Sequence, residues 1–246
     1  MERQLISEIL IKKLKSATSV AVLTGAGISA ESGVPTFRGE EGLWKKFRPE
    51  ELANFNAFVS NPDLVWEWYQ YRRKIIESIR PNPGHYAIAG MEKHHDTFAV
   101  ITQNVDNLHI QAGSKKVHEL HGNIMRNYCI DCGKGATDVT ALRSGKVPRC
   151  LCGGLIRPGV VWFGEMLPED PWRAGVQAAE NAQVFFSVGT SAVVYPAADL
   201  PRIAKRAGAY LIEINIERTE LSPYADEVLL GKSGEILPRI VEEAYA

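Results

Sequence analysis

Four short apolar runs constrain this chain more than any other feature. Val20–Leu23, Phe98–Ile101, Val184–Val188 and Tyr210–Ile214 have the length and composition of strands buried on both faces of a parallel sheet. Helical stretches alternate with them at Pro83–Lys93, Glu169–Asn181, Ala197–Ala207 and Gly234–Glu243. That alternation predicts an α/β fold, a doubly wound parallel sheet with helices on both faces. The runs also end alike. The first leads into Thr24-Gly25-Ala26-Gly27-Ile28-Ser29 and the second into Thr102-Gln103-Asn104-Val105-Asp106. The third gives Gly189-Thr190-Ser191 and the fourth Asn215. Ligands of open α/β sheets bind at the carboxyl edge of the strands, so four small or hydrogen-bonding endings predict one polar site along that edge.

Two segments interrupt the alternation. Residues from about 37 to 79 read as helical and aromatic, and residues from about 124 to 157 hold every cysteine. They predict a smaller domain of a helical part, 37–79, and a cysteine-bearing part, 124–157, over a Rossmann-like domain of 1–36, 80–123 and 158–246. The 246 residues suffice for such a pair. With 28 Lys and Arg against 29 Asp and Glu, no net field draws the chain to nucleic acid or acidic membranes. The first seventeen residues alternate charged with apolar positions at helical spacing, which predicts a surface helix and not a signal peptide. No apolar run approaches the ~20 residues of a membrane span. A cytoplasmic location is expected.

Gly25-Ala26-Gly27-Ile28-Ser29-Ala30 fits the G-x-G-x-x-G/A dinucleotide pattern and follows a strand, the context that pattern requires. Its glycines permit a tight turn and close approach of backbone to a pyrophosphate. A dehydrogenase loop leads through a helix to an acidic residue about 20 positions on. Here Glu31-Ser32-Gly33-Val34-Pro35-Thr36-Phe37-Arg38-Gly39 follows, a loop by its proline and glycines. Arg38 offers a guanidinium for phosphate, although a lone arginine is more often a surface charge. Gly231-Lys232-Ser233 is no phosphate loop, because Asp226 stands where the upstream glycine belongs.

The only four cysteines are Cys129, Cys132, Cys150 and Cys152. Two close pairs seventeen residues apart form a zinc-ribbon pattern, and four thiolates closing a tetrahedral shell make the zinc structural. The second pair is one residue tighter than usual; an extended Cys-Leu-Cys would still put both thiols on one face. A redox pair is the competing reading, and it leaves Cys150 and Cys152 unexplained. Of the six histidines, His94 and His95 read as solvated loop residues, and His85 and His109 as structural groups near helix starts. His118-Glu119-Leu120-His121-Gly122 lacks the spacing of a zinc protease. Alone, His121 suits a structural role as well as a functional one.

Taken in order, these motifs resemble the sirtuin family: Gly25-Ala26-Gly27-Ile28-Ser29, Pro35-Thr36-Phe37-Arg38-Gly39, Thr102-Gln103-Asn104-Val105-Asp106, His118-Glu119-Leu120-His121-Gly122, the cysteine pairs and Gly189-Thr190-Ser191. The resemblance spans essentially the whole chain. It implies that NAD, as co-substrate, and an acylated lysine of a protein or peptide meet between a Rossmann-like domain and a small zinc-plus-helical domain. In the family the acyl oxygen attacks the ribose carbon bearing nicotinamide, and nicotinamide leaves. A histidine matching His121 then takes a proton from a ribose hydroxyl, which attacks the imidate, and hydrolysis gives free lysine and 2′-O-acyl-ADP-ribose. An imidazole of ordinary pKa about 6.5 suits a general base near neutral pH.

By the same matching, Asn104 holds ribose and water, Asp106 the nicotinamide carboxamide, and Gln103 ribose, while Phe37 shields the reacting carbon. The resemblance further assigns Gly25, Ala26, Gly27, Ser29, Thr36, Arg38, Trp44, Gly189, Thr190, Ser191, Asn215, Glu217 and Ser233 to the NAD site. Val160-Val161-Trp162-Phe163-Gly164-Glu165 resembles the family's substrate strand, to which a peptide would add by backbone pairing. Its plainer reading is an ordinary buried strand.

Tyr69 and Arg72 are three apart on a predicted helix and share a face. A guanidinium beside a phenol can bind a carboxylate. The pair resembles the Tyr-x-x-Arg of the sirtuin branch that prefers succinyl, malonyl or glutaryl lysine. Thr36 and the small Ala53, which would widen an acyl pocket, match the same branch. A core tyrosine and a solvated arginine are the plainer alternative. The expectation is dual activity, with desuccinylation favoured. Rival functions are an NAD-dependent ADP-ribosyltransferase, a hydride-transferring dehydrogenase and a non-enzymatic zinc-ribbon module on nucleic acid. A monomer is expected, with no membrane or direct nucleic-acid partner.

Overall fold

The computed structural model describes residues 6–34, 52–137 and 145–246. Ahead of the first strand, α1 (Glu8–Ser16) begins at Ser7, whose side chain accepts the Leu10 N–H, and it buries Leu10 and Leu14. Then follow β1 (Ser19–Thr24), the five-residue α2 (Ala26–Ala30), α3 (Phe55–Ser60), α4 (Pro62–Ser78) and α5 (Pro83–Met91). Next come β2 (Thr97–Thr102), α6 (Leu108–Gln111), β3 (Val117–Glu119), β4 (Gly122–Cys129) and β5 (Ile156–Val160). The remainder is α7 (Glu169–Asn181), β6 (Val184–Val188), α8 (Leu200–Arg206), β7 (Tyr210–Asn215), β8 (Glu227–Leu230) and α9 (Ser233–Tyr245).

Six strands form one sheet in the order β3-β2-β1-β6-β7-β8, and every neighbouring pair is parallel. Leaving out β4 and β5, this is the 3-2-1-4-5-6 order of a doubly wound dinucleotide fold, whose crevice opens where the order reverses. Here that point lies between β1 and β6. Successive residues of β1 serve opposite faces. Val20 and Val22 pack with Leu10, Leu14, Ile88, Leu237 and Ile240 on one side. Ala21 and Leu23 meet Ala179, Leu200 and Ala204 of α7 and α8 on the other.

The four predicted strands lie within β1, β2, β6 and β7. The edge strands β3 and β8 did not stand out in the sequence. Each is short and carries polar residues, His118-Glu119 in one and Glu227 at the start of the other, because an edge strand need not be apolar throughout. Helix ends moved for local reasons. The stretch predicted over Pro83–Lys93 closes at Met91 and continues as a 3₁₀ turn, Glu92–His94. That predicted over Ala197–Ala207 opens with a 3₁₀ turn before α8.

His94 is exposed, as expected of a solvated group, and His95 is half-buried, yet both have partners. The His94 ring stacks 4.1 Å from that of Tyr245. His95 bonds the Ala17 carbonyl at 2.9 Å through Nδ1 and the Tyr245 hydroxyl at 2.6 Å through Nε2. Together they tie α9 to the amino edge of the sheet.

A separate antiparallel pair, β4 and β5, carries its own core with α3 and α4. Leu52, Ala53, Phe58, Val65, Trp68, Tyr69, Ile124 and Trp162 form it, and Trp66, Cys129 and Ile156 continue it toward the cysteines. Arg73 stitches α4 to β4: its Nε donates to the Ile124 carbonyl at 2.7 Å and its Nη2 bonds Asn127. Among the described residues, no helix is long and apolar enough to cross a membrane.

Candidate functional site

Two glycine turns cross at the reversal of the sheet. Gly25 N–H donates to the Val188 carbonyl at 3.0 Å, and Gly27 N–H to the Gly189 carbonyl at 2.8 Å. A Cβ on Gly27 would lie 2.7 Å from Gly189 Cα, and one on Gly25 would lie 2.8 Å from Gly189 O. Gly189 has φ +61° and would itself strike Ile28 N at 2.4 Å. These glycines are therefore required by loop-to-loop contact, a constraint additional to the approach of a pyrophosphate expected from the sequence. The fifth residue of that pattern, Ser29, is fully buried.

Around the crossing stand the ends of β2, β6 and β7. Gln103 Nε2 donates to Thr190 Oγ1 at 3.1 Å, and Asn215 Nδ2 to the Thr190 carbonyl at 2.9 Å. Asn104 spends both amide hydrogens, on the Gly25 carbonyl at 2.9 Å and Ser29 Oγ at 3.1 Å. Asp106 is buried and accepts the Leu108 N–H at 3.0 Å. Burial raises its carboxyl above the usual range, opposed by Leu108, the Ser29 hydroxyl and the nearby Arg72 charge. Ser191 and Glu217 are exposed beyond β6 and β7. Buried Ser233 donates to Glu31 Oε1 at 3.0 Å, and the Gly234 N–H reaches the same oxygen at 2.9 Å. Glu31 thus caps α9, a role its sequence context did not announce. Thr36, Phe37, Arg38 and Trp44 lie outside the described residues.

His121 sits between β3 and β4, and its Nδ1 lies 2.9 Å from the Gln103 carbonyl. A carbonyl only accepts, so Nδ1 carries the hydrogen and Nε2 keeps its lone pair. Burial pushes the imidazole below its ordinary value, opposed by that bond. The group is a neutral base at neutral pH.

Behind the edge lie two more histidines, buried with ring centroids 4.9 Å apart. Burial pushes His85 down to about 4 and His109 down to about 3, the latter helped by His85. An unfolded histidine titrates near 6.5. Folding therefore stabilises the neutral forms fully above that value, and the gain is lost as pH falls from 6.5 toward 4 and 3. For His85 alone this is on the order of 3 kcal/mol, at about 1.4 kcal/mol per unit. Urea midpoints should drop steeply between pH 7 and pH 4.5, and less steeply in His109→Leu. Parallel slopes for the two proteins would contradict the assignment.

On the small layer, Tyr69 and Arg72 are both buried, so the alternative of a solvated arginine does not hold. The Arg72 guanidinium carbon lies 4.9 Å from the Trp68 ring centroid and 5.8 Å from that of Tyr69. Trp162 Nε1 donates to the Tyr69 hydroxyl oxygen at 2.8 Å. Burial raises the Tyr69 phenol, opposed by Arg72 and Trp162. Trp162 is held in turn by Arg157, whose guanidinium carbon lies 3.5 Å from its ring centroid. Arg157 also donates to the Val160 carbonyl at 2.9 Å and pairs with Glu165.

Beyond Val160 the chain is not the strand expected over 160–165. β5 ends there and a turn follows. Val161 N–H donates to the His121 carbonyl and Phe163 N–H to the Ala53 carbonyl, both at 2.9 Å; Trp162 N–H reaches Glu165 Oε2 at 2.8 Å. Three successive donors are thus committed internally, and a strand added here must use other groups. Ala53 is buried, whereas Phe163 is exposed.

The four cysteine sulfurs lie within 4.8 Å of one another, with Cys129 to Cys152 at 3.5 Å and Cys132 to Cys150 at 3.7 Å. The edge of a tetrahedron with Zn–S bonds of about 2.3 Å is about 3.8 Å. All four are placed to bind a zinc ion. The tight pair is not extended as expected: Cys150-Leu151-Cys152 is a turn closed by the Gly153 N–H on the Cys150 carbonyl at 2.9 Å. Gly153 at φ +94° and Gly133 at φ +68° permit the two turns.

Sequence comparison agrees with this geometry. The Sir2 family model matches residues 25–196. A Pyrobaculum aerophilum protein named NAD-dependent protein deacylase 2 is 54% identical over 237 residues, 94% of this chain and 92% of that one. A Sir2 homologue mutant solved with ADP-ribose superposes at a TM-score of 0.93, with 45% identity and 97% and 96% of the two chains covered. A Sir2 complex with a p53 peptide and NAD+ gives 0.87, with 35% identity over 97% and 98%. The crossed glycine turns, the edge histidine and the four-sulfur cluster thus belong to a chain that is a member of the Sir2, or sirtuin, family.

Proposed function

We propose that this chain is an NAD-dependent protein-lysine deacylase that removes acetyl groups and, preferentially, acidic acyl groups such as succinyl and malonyl. Nicotinamide and 2′-O-acyl-ADP-ribose are the co-products. The observation that carries the reading is His121, a half-buried neutral imidazole with Nδ1 held 2.9 Å from the Gln103 carbonyl at the carboxyl edge of the sheet. The deacylase name of the Pyrobaculum relative and the NAD+ and peptide of the solved complex support it.

Bound NAD supplies an electrophilic ribose carbon. This chain's residues do the rest. Asn104, both amide hydrogens committed, presents Oδ1 as an acceptor for a ribose hydroxyl or water. His121 Nε2 takes the hydroxyl proton, and Nδ1–H on Gln103 keeps the ring oriented while the charge forms. Asp106 receives the nicotinamide carboxamide. Gly25, Ala26, Gly27, Ser29, Gly189, Thr190 and Ser191 line the phosphate and ribose side, with Gln103 beside the ribose. Asn215, Glu217 and Ser233 serve the adenosine end, and Thr36, Phe37, Arg38 and Trp44 complete the site. We take 1–36, 80–123 and 158–246 as the NAD-binding domain, and 37–79 with 124–157 as the smaller one. Val160, Val161 and Phe163 line the peptide, with Ala53 beside the acyl chain. The protein acts as a cytoplasmic monomer, a compartment that keeps the four thiols reduced for metal.

Preference for an acidic acyl group rests on the Tyr69 hydrogen bond. Because its oxygen accepts from Trp162, its own O–H is free to donate to a carboxylate beside the Arg72 guanidinium. An acetyl group brings no carboxylate to that buried pair, whereas a succinyl or malonyl group does, an asymmetry that discriminates between them. Arg72→Met should cut kcat/KM for a succinyl-lysine peptide by about 10²-fold or more, as expected for breaking a buried charge pair. Loss with the matched acetyl peptide should be far smaller, and equal losses would refute the assignment.

The direct test is mass spectrometry of matched acetyl- and succinyl-lysine peptides with and without NAD. NAD-dependent loss of acyl mass with O-acyl-ADP-ribose formed establishes the reaction, and the faster peptide settles the preference. NAD consumption with both peptides intact and ADP-ribose mass on a protein would replace the reading with ADP-ribosyl transfer.

A further inference from the structure

The buried His85–His109 pair has features that packing alone does not require. His109 Nε2 lies 2.9 Å from Thr24 Oγ1, which bonds Thr102 Oγ1 at 2.9 Å, and Thr102 Oγ1 accepts the main-chain N–H of Asn104 at 3.0 Å. Thr24 and Thr102 face each other because they are register partners at the ends of β1 and β2. His109 Nδ1, also buried, has no hydrogen-bond partner among the described residues. Two tautomers are possible. With hydrogen on Nδ1, a buried donor would be orphaned, which is rarer in folded proteins than an under-used acceptor. Hydrogen on Nε2 is therefore assigned, and the relay runs in one direction, from His109 to Thr24 to Thr102.

His85 supplies a second, parallel arm. Its Nδ1 lies 3.3 Å from the Asn82 N–H it caps, so its hydrogen also sits on Nε2, facing Ser29 Oγ at 3.5 Å. Ser29 Oγ accepts from the Asn104 side-chain amide. One histidine thus reaches the backbone of Asn104 and the other its side chain. A leucine at 109 would fill the space without stranding a polar atom, so the imidazole must be explained by what its N–H does.

We propose that His109 is a positioning residue for deacylation, acting through the hydroxyls of Thr24 and Thr102 to fix the main chain of Asn104. The proposal rests on the reading of Asn104 as the group that holds ribose and water. His109 touches neither substrate. By fixing the Asn104 main chain it sets where Asn104 Oδ1 stands relative to His121, through a relay that any side chain with a correctly placed N–H can drive.

The test compares wild type, His109→Leu, His109→Gln and Thr24→Val, each zinc-loaded and at neutral pH, on an acetyl-lysine peptide. His109→Leu should lose about tenfold in kcat, with KM for NAD and peptide within twofold. His109→Gln, which keeps an N–H donor, should recover most of it. The double variant His109→Leu/Thr24→Val should be no slower than Thr24→Val, because both break one relay. A His109→Leu protein with kcat within twofold of wild type, or losses that multiply in the double variant, overturns the proposal. Asn104→Ala separates the two layers: if it keeps its kcat, the underlying reading of Asn104 has failed; if it loses kcat while His109→Leu does not, only the relay has failed. Amide hydrogen exchange at Asn104 reads the relay without turnover. Exchange should quicken in His109→Leu and Thr24→Val and recover in His109→Gln; unchanged exchange in the first two would equally overturn it. Should His109→Leu fail to fold, Thr24→Val carries both readouts.

Discussion

Alanine at His121 should lower kcat for lysine deacylation by about 10²–10⁴-fold, the contribution of a positioned general base. The residue is suited to one task. Its Nδ1 is fixed on the Gln103 carbonyl at 2.9 Å, which sets both tautomer and ring plane, and burial lowers its pKa. Lowering keeps Nε2 unprotonated through the neutral range. In the wild type, kcat/KM should be flat through neutrality and fall only as pH drops through that lowered value. In the alanine variant the limb should vanish along with the rate. In the proposed reaction nicotinamide exchange into NAD precedes the proton transfer, so it should survive the substitution far better than deacylation does. The comparison is made on protein shown to be folded at each pH. A variant that deacylates within a few-fold of wild type, or that loses exchange and deacylation in equal measure, would remove His121 from the role of base.

Such a site was legible in the sequence because its parts sit at strand ends. Strands buried on both faces of a parallel sheet must be continuous apolar runs, so β1, β2, β6 and β7 declared themselves, and what followed each run lay at one edge. The edge strands β3 and β8 are under no such demand. Glu227 in β8 instead faces the start of α1, accepting from the Ser7 N–H at 3.1 Å, a pairing across the chain that no local pattern announces. Glycines at 25, 27 and 189 were readable as a turn, yet not as partners of each other, since their constraint is the meeting of two loops distant in sequence. The contacts of His85 and His109 were hidden for the same reason. Neither has a motif, and the contact of His109 depends on Thr24, which faces Thr102 across β1 and β2. The one cue in the sequence was threonine at the same place in two strand endings. Trp162 likewise sits in a readable motif, while its bond to Tyr69 spans 93 positions.

The cysteine cluster was legible as a pair pattern, and its removal should have the largest structural effect of any single perturbation. Two antiparallel strands are marginal alone in water, and β4 with β5 is such a pair. Toward the cysteines its buried apolar support is Trp66, Cys129 and Ile156, a small core next to the two that sandwich the main sheet. Zinc held by four thiolates contributes about 10–16 kcal/mol in isolated zinc-binding peptides near neutral pH, more than so few side chains can replace at about 1.5–3 kcal/mol each. Chelation, or Cys129→Ser, should therefore unfold the β4–β5 layer while the six-stranded sheet stays folded. Activity should go with the layer although no cysteine is assigned a part in the reaction. β4 begins at the residue after His121, and the Val161 N–H at the end of β5 holds the His121 carbonyl at 2.9 Å, so melting the ladder releases His121, the proposed base. Purified protein should carry one zinc per chain by elemental analysis. After chelation, hydrogen exchange should quicken across 122–129 and 156–160 and stay slow in β1, β2 and β6. Full deacylase activity in metal-free protein would show that the layer stands without zinc; collapse of the whole sheet on chelation would show that the two cores are one folding unit.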